Sequence, residues 1–271
     1  MASYRYRCEI PCKWLNDNGV EASINQGTAQ IVVFAKPYKE DIDLAKQCKD
    51  KGATIVFDVT DPHFEHSTIG PIYKEMSEIA DYLTCSSEYT ADKLNATYIP
   101  DPYEFAEIPP HANGNKLVWF GHHVNYHEIE PFKNEDIRIV TGGDIEGTTF
   151  YSPTNLVRAC TEANIALFPS KVEYKSPNRI VNALRLGLFP VSQQHKEFDM
   201  CWIGNPHTGI RWARHFKHDL NELVSEGQDY IRHRYSPQTI GQKWLDLFAY
   251  ISDQEDTNGP QTGQTLTSKA M

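Results

Sequence analysis

The sequence predicts a parallel α/β fold in which two Rossmann-like halves face each other across a cleft. Two observations carry this. Short apolar runs alternate with longer amphipathic stretches along most of the chain, the pattern of strands buried beneath crossover helices. That alternation also occurs twice, in two series separated by the proline-bearing, aperiodic stretch 101–115.

In the first series, the runs at 29–35, 54–58, 82–86 and 96–99 have strand length and composition. Between them, 38–51 carries Ile42, Leu44 and Ala45 at helical spacing, and 72–80 repeats the pattern; 5–16 reads as a further helix. The second series predicts strands at 116–120, 137–141, 165–168 and 188–192, with helices at 153–162, 177–186, 215–226 and 237–251. The implied organisation is an N-terminal domain over 1–108, a C-terminal domain over 109–251, and a polar Gly/Pro/Thr/Gln-rich tail over 252–271 read as disordered. Two such domains bring the carboxyl ends of both strand sets to one cleft.

Composition narrows the function. The chain has 271 residues, 40% of them apolar, enough for a core. The formal charge of −10 argues against a general electrostatic grip on nucleic acid or anionic membrane. No run approaches the ~20 apolar residues needed to span a bilayer, and the polar opening residues do not read as a signal peptide. Cys8, Cys12, Cys48, Cys85, Cys160 and Cys201 are scattered without a CxxC pair, as expected of reduced thiols, and the predicted location is cytoplasmic. Cys201 lies between His195 and His207 at spacings that match no common zinc pattern.

The chemistry concentrates after the strand at 165–168. Ser176-Pro177 is a helix-start signal, with Ser176 as cap and Pro177 at the first helical position, and Gly187 ends that helix. Its N–H groups then point into the cleft and suit a diphosphate. Arg179 in the first turn opposes the helix dipole unless an anion lies nearby. An ordinary capped helix of an α/β domain is the alternative. Asp58, Asp61 and His63 follow a strand at the cleft edge of the first domain. Asp61 or His63 there can orient or deprotonate an acceptor hydroxyl, or Asp61 can cap a helix beside a packed aromatic turn. The stretch 205–218, with Arg211, Trp212 and Arg214, reads as an anion-binding patch or as a solvated helix face with Trp212 packed inward. GxGxxG and P-loop motifs are absent, and Thr141-Gly142-Gly143-Asp144 is too short to argue for a nucleotide.

The run Phe168-Pro169-Ser170, Glu173-Tyr174-Lys175-Ser176-Pro177-Asn178-Arg179, Asn182 and Gly187-Leu188-Phe189-Pro190-Val191 resembles the donor-binding signature of family-4-type retaining glycosyltransferases of the GT-B fold. The resemblance implies that Glu173 contacts hydroxyls of the donor sugar and that residues 176–179 hold the diphosphate. Asn182 falls where the family carries a second glutamate on the ribose hydroxyls. Leu117-Val118-Trp119-Phe120-Gly121 resembles the first strand and turn of the nucleotide-binding domain, which makes Gly121, His122, His123 and Asn125 candidate phosphate or sugar contacts. A His pair in a turn is otherwise ordinary solvated surface. The family's basic pair after that strand is not evident. Arg5 and Arg7, in a segment resembling the family's opening loop and helix, are placed to balance a diphosphate or lie on a solvated helix face.

These implications define a retaining hexosyltransferase that uses a nucleotide sugar, UDP-sugar first, as co-substrate, without a cofactor. The acceptor is a hydroxyl of a glycan, a lipid-linked sugar or DNA. With no DxD triplet near a strand end, metal is not expected. The N-terminus of the 177–186 helix with Lys171, Lys175 or Arg5 is the substitute that neutralises the leaving diphosphate. The alternatives are a non-catalytic nucleotide- or glycan-binding relative and a glycosyltransferase acting on hydroxylated bases in DNA.

Overall fold

A computed structural model describes residues 2–24, 29–172, 174–216 and 219–258. The chain opens in helix: α1 (Ala2–Tyr4), a π-wound turn (Arg5–Glu9) and α2 (Ile10–Asp17). The first sheet follows as β1 (Ile31–Ala35), β2 (Thr54–Val59), β3 (Tyr82–Cys85) and β4 (Thr97–Tyr98), all parallel and in sequential order. Its crossovers are α3 (Lys39–Asp50), α4 (Gly70–Ile79) and α5 (Glu88–Leu94). β2 is buried at every position, as an inner strand covered on both faces must be, whereas Val33 on the edge strand β1 is exposed.

The second sheet contains β5 (Leu117–Gly121), β6 (Ile137–Thr141), β7 (Thr149–Phe150), β8 (Ile165–Phe168), β9 (Phe189–Ser192) and β10 (Trp202–Ile203). Its order is β10-β9-β8-β5-β6-β7, again all parallel. A 3₁₀ segment (His123–Phe132), α6 (Pro153–Thr161), α7 (Asn178–Arg185), α8 (Pro206–His215) and α9 (Leu220–Arg234) join these strands and cover them. The strand order reverses between β5 and β8. In open parallel sheets a ligand crevice forms at that switch point, beyond the carboxyl ends of the strands.

Two main cores match the two halves, one around Phe57, Tyr73 and Met76, the other around Leu117, Phe120, Leu167 and Phe189. A third joins the ends of the chain to the first sheet. The last helix, α10 (Pro237–Asn258), returns across the molecule, and its Ile240, Trp244, Leu247 and Ile251 bury against Val56 and Ile99. At Gly241 it approaches Trp14 so closely that a Cβ would lie 2.1 Å from the indole.

Several boundaries differ from the sequence reading. The helix expected at 215–226 is two helices: Asn205 and Asp219 each accept a backbone N–H and start α8 and α9 separately. The residues expected to be a disordered tail are helical through Asn258, and 259–271 lie outside the described residues. The stretch 101–115 is a docked connection, since Phe105 and Ala112 belong to the second core. Trp212 of α8 packs inward against Phe189, Trp202 and Phe216. Among the described residues no helix is long and apolar enough to cross a membrane.

Candidate functional site

The β5/β8 switch point coincides with the start of α7. Pro177 is the N-cap and Asn178 the first helical residue, one position later than expected, and no side chain caps the helix. Ser176, the expected cap, instead has a buried hydroxyl that makes no bond of ordinary length, although it lies close to the Asp101 carboxylate. The free N–H groups of the first turn therefore face the crevice. Gly187 closes the helix with φ +76°, where any Cβ would also lie 2.5 Å from the Pro109 carbonyl oxygen.

Phe168, Ser170, Lys175, Ser176, Arg179 and His195 line the hollow at this point. Arg179 lies over the Phe168 ring, 5.3 Å from its centroid, and beside Gly121, where a Cβ would come within 3.4 Å of Nη1. Lys175 Nζ donates to Asn125 Oδ1 (3.2 Å). Both cations face Glu128 of the 3₁₀ segment, Lys175 at 3.6 Å and Arg179 at 3.7 Å, a carboxylate with only 9% of its side chain exposed. The basic pair that the sequence lacks after β5 thus arrives from the far side of the switch point. Burial, and then Arg179, push the Lys175 ammonium below its usual range, and burial does the same to Arg179; Glu128 offsets each only in part.

Ser176 Oγ, Arg179 Nη1, Glu128 Oε2 and Gln194 Oε1 are buried at or beside this hollow without a hydrogen bond of ordinary length. Native interiors leave few such groups unpaired, so their gathering at one crevice marks a site shaped for a polar ligand. The enclosed space is about 20 Å³, room for one water molecule, so a larger ligand requires side chains to move. A wider hollow of about 620 Å³ flanks β10, is walled by Trp202, Trp212, Met200 and Leu223, and stands apart from these charges.

The first domain contributes Asp61 and Lys36, paired at 3.1 Å. Lys36 follows β1 with φ +53°, a backbone conformation strained for a residue with a Cβ. The Asp61 charge acts on Tyr174 and Lys175 of the second domain, and that of Lys36 on His122. Burial, then His123 and Lys36, push His122 below the ordinary imidazole range. His122 and His123 are exposed, their rings 4.2 Å apart. His63 belongs to a packed aromatic turn, 5.7 Å from the Tyr73 ring, and Asp61 pairs with Lys36 instead of capping a helix.

The remaining sequence candidates are placed differently. Arg7 does not reach a donor. Its Nε and Nη2 donate to both Asp58 oxygens (2.8 and 2.6 Å) and its Nη1 to Ile99 O and Asp101, leaving the side chain 1% exposed. Arg5 forks onto Glu104 (2.6 and 3.0 Å) and donates to Tyr151 Oη, so a diphosphate would have to displace Glu104. Asn182 is buried and turns its amide inward: Nδ2 donates to Tyr6 Oη (2.8 Å), which donates to Glu104. Asn178 Nδ2 donates to Asp101 (3.2 Å). Lys171 is exposed beside the site. Glu173 lies outside the described residues. His207 stacks on Phe132 (4.3 Å) and Cys201 is buried; among the described residues no group of three or more His, Cys, Asp or Glu could hold a metal ion.

Sequence reasoning missed Lys36, Glu128 and His195. The signal for Lys36 was a lysine before proline at a strand end. The other two gave none, because only the fold brings them to the crevice.

No family model matches the sequence, and no curated protein matches it either. Solved structures do match. HepE of Anabaena in complex with UDP aligns over 80% of this chain and 78% of its own, at TM-score 0.58 and 10% identity. An alpha-glucosyltransferase in complex with UDP and a 13-mer DNA containing an HMU base aligns over 90% and 84%, at TM-score 0.54 and 10% identity. At this identity the likeness establishes the fold, the GT-B arrangement of two Rossmann-like domains facing a cleft.

Proposed function

We propose that the protein is a glycosyltransferase that moves a hexose from a nucleoside-diphosphate donor, UDP-sugar first, to a hydroxyl acceptor. The observation that carries this is the convergence of unpaired buried polar atoms and two cations on an uncapped helix N-terminus at the switch point of the nucleotide-side sheet. Both solved relatives described above hold UDP.

In this reading the bond from the anomeric carbon to the diphosphate oxygen breaks, and the departing oxygen gains negative charge. Lys175, Arg179 and the first N–H groups of α7 stabilise that charge. The acceptor hydroxyl attacks the same face of the sugar, so configuration is retained, and its proton passes to a donor phosphate oxygen. Glu173 positions the sugar hydroxyls, and Asp61, held by Lys36, receives a hydrogen bond from a second hydroxyl of the acceptor and so orients it. Two fixed cations supply the countercharge a metal otherwise supplies, so transfer proceeds in the presence of EDTA.

Incubation with a panel of nucleotide sugars, reading nucleotide release and the anomeric configuration of the product, tests the assignment. Donor turnover with a retained anomer is expected, and Glu173→Ala removes most of it while leaving the melting temperature unchanged. No turnover of any donor, or full activity in Glu173→Ala, contradicts the reading. A hydroxylated DNA base is the second acceptor reading, favoured by the relative solved with UDP and DNA. The charge of −10 opposes it, and salt-sensitive DNA binding would restore it.

A further inference from the structure

Among the described residues three non-glycine positions have positive φ: Lys36, Asn95 and His195. Asn95 is explained as the C-cap of α5. His195, at φ +71°, lies in no such cap. It sits in the loop that carries the chain away from the carboxyl end of β9, the strand next to β8. Left-handed backbone is costly for a residue with a Cβ and persists where its surroundings impose it. Here they do so from both sides. Ser192 Oγ at the end of β9 accepts from Gln194 N (3.2 Å), and the His195 carbonyl accepts from Phe198 N (3.0 Å), with Phe198 fully buried in the second core.

The turn brings the His195 side chain into the hollow shared by Lys175, Ser176 and Arg179. Its Nδ1 lies 3.3 Å from Glu197 Oε1. Burial, the largest influence, raises the Glu197 carboxyl, but the bond from His195, its own backbone N–H and the His195 charge together hold the group below its usual range. With Nδ1 engaged, Nε2 is the ring atom left for a ligand. A ligand is also wanted electrostatically. Lys175 and Arg179 share the Glu128 carboxylate, so the three together bring one net positive charge to a diphosphate that carries more than one negative charge. The neighbouring Gln193 and Gln194 each have a buried Oε1 without a partner.

We propose that His195, oriented by Glu197, is a phosphate-binding residue of the donor site: with both ring nitrogens protonated, Nδ1–H donates to Glu197 and Nε2–H to a diphosphate oxygen. The assignment rests on the donor reading above and adds to it the β9 loop, an element outside the strand–loop–helix 165–187.

The test uses the full chain with UDP and uridine as probes, in wild type, His195→Gly and Glu197→Gln. Glycine adopts positive φ without steric cost, so His195→Gly melts no lower than wild type. UDP affinity by calorimetry falls about 10–100-fold, the loss of one charge-assisted hydrogen bond, and Glu197→Gln falls about 3-fold as the imidazole loses its charged partner. Uridine affinity by NMR titration stays unchanged in both, which a merely structural role would not produce. UDP binding in His195→Gly equal to wild type overturns the assignment alone. Equal losses of UDP and uridine with a lower melting temperature also overturn it. Wild-type protein that binds no UDP overturns the donor reading and this assignment with it.

Discussion

Replacing Arg179 by Met, Glu128 by Gln, and both together separates what these side chains do for the fold from what they do for a ligand. Glu128 lies 3.6 Å from Lys175 and 3.7 Å from Arg179. At an effective dielectric of about 20, charges at that distance attract by roughly 4–5 kcal/mol, and desolvation of the same groups cancels much of that. Arg179 shows the balance directly. Burial, its largest influence, holds it below the guanidinium's ordinary range despite Glu128. For a base, a folded pKa below the unfolded one means that the charged form costs stability. That cost is fully present at neutral pH and is lost only as pH rises past the unfolded value. Arg179→Met alone removes that cost but leaves a buried carboxylate with one cation fewer, so it destabilises by about 1–3 kcal/mol. The double variant removes both charges and returns to within about 1 kcal/mol of wild type. UDP affinity responds differently. Arg179→Met loses about 2–4 kcal/mol, or roughly 30–1000-fold, and loses more where Glu128 no longer competes for Arg179. Glu128→Gln gains about 1 kcal/mol, or roughly 5-fold, by removing a negative charge from the phosphate site. Urea denaturation and calorimetry with UDP give both quantities. Arg179→Met binding UDP as wild type does, or Glu128→Gln binding it more weakly, refutes the reasoning.

The depressed His122 and Lys175 imply that UDP binding takes up protons, because a nearby phosphate favours their charged forms. Calorimetry in buffers of different ionisation enthalpy reads this uptake, first below about pH 6.5 for His122 and again on the alkaline side for Lys175. Affinity therefore falls as pH rises through each range, and a buffer-independent enthalpy contradicts it. The two aspartates around Arg7 should separate in urea denaturation. Asp58→Asn breaks the fork to Arg7 and the bond from Thr84 (2.7 Å) and costs about 3–5 kcal/mol. The Asp101 carboxyl is raised by burial more than Arg7 lowers it, so its charged form penalises the fold above that raised value. Asp101→Asn costs under about 1 kcal/mol, and equal losses in the two variants exclude this account.

The sequence made the architecture legible where strands are buried on both faces. β8 is an uninterrupted apolar run, and β2 and β9 are apolar at most positions, because inner parallel strands are buried on both faces. The start and stop of α7 were legible to within a residue from Ser176-Pro177 and Gly187. The placement of α10 was not. Its apolar stripe fits any sheet, and the folded contacts, the shared core with Val56 and Ile99 and the close approach of Gly241 to Trp14, show that the last helix packs on the first domain. Arg7 was misread for a related reason: an arginine on an opening helix looks the same whether it faces solvent or Asp58, and the partner is 51 residues away. α8 and α9 were blurred because the basic, aromatic stretch between their caps obscures the helical period.

The basic pair shows how a site can keep its charge while its sequence pattern changes. The turn after β5 offers His122, His123 and Asn125 where the resembling family places cations, and Lys175 and Arg179 reach the same point from the β8 side. An arginine in the first turn of a helix costs roughly 0.3–1 kcal/mol against the dipole unless an anion is near. Here that anion is Glu128, presented by the 3₁₀ segment that follows β5. Under the proposed function Glu128 and a diphosphate are alternative partners for the same two cations. This accounts for an enclosed space no larger than a water molecule and for an ion pair between Glu128 Oε2 and Arg179 Nη1 that stays at 3.7 Å, longer than a hydrogen bond. A donor enters by exchanging partners at Lys175 and Arg179, and its affinity measures the difference between two anions rather than the strength of one.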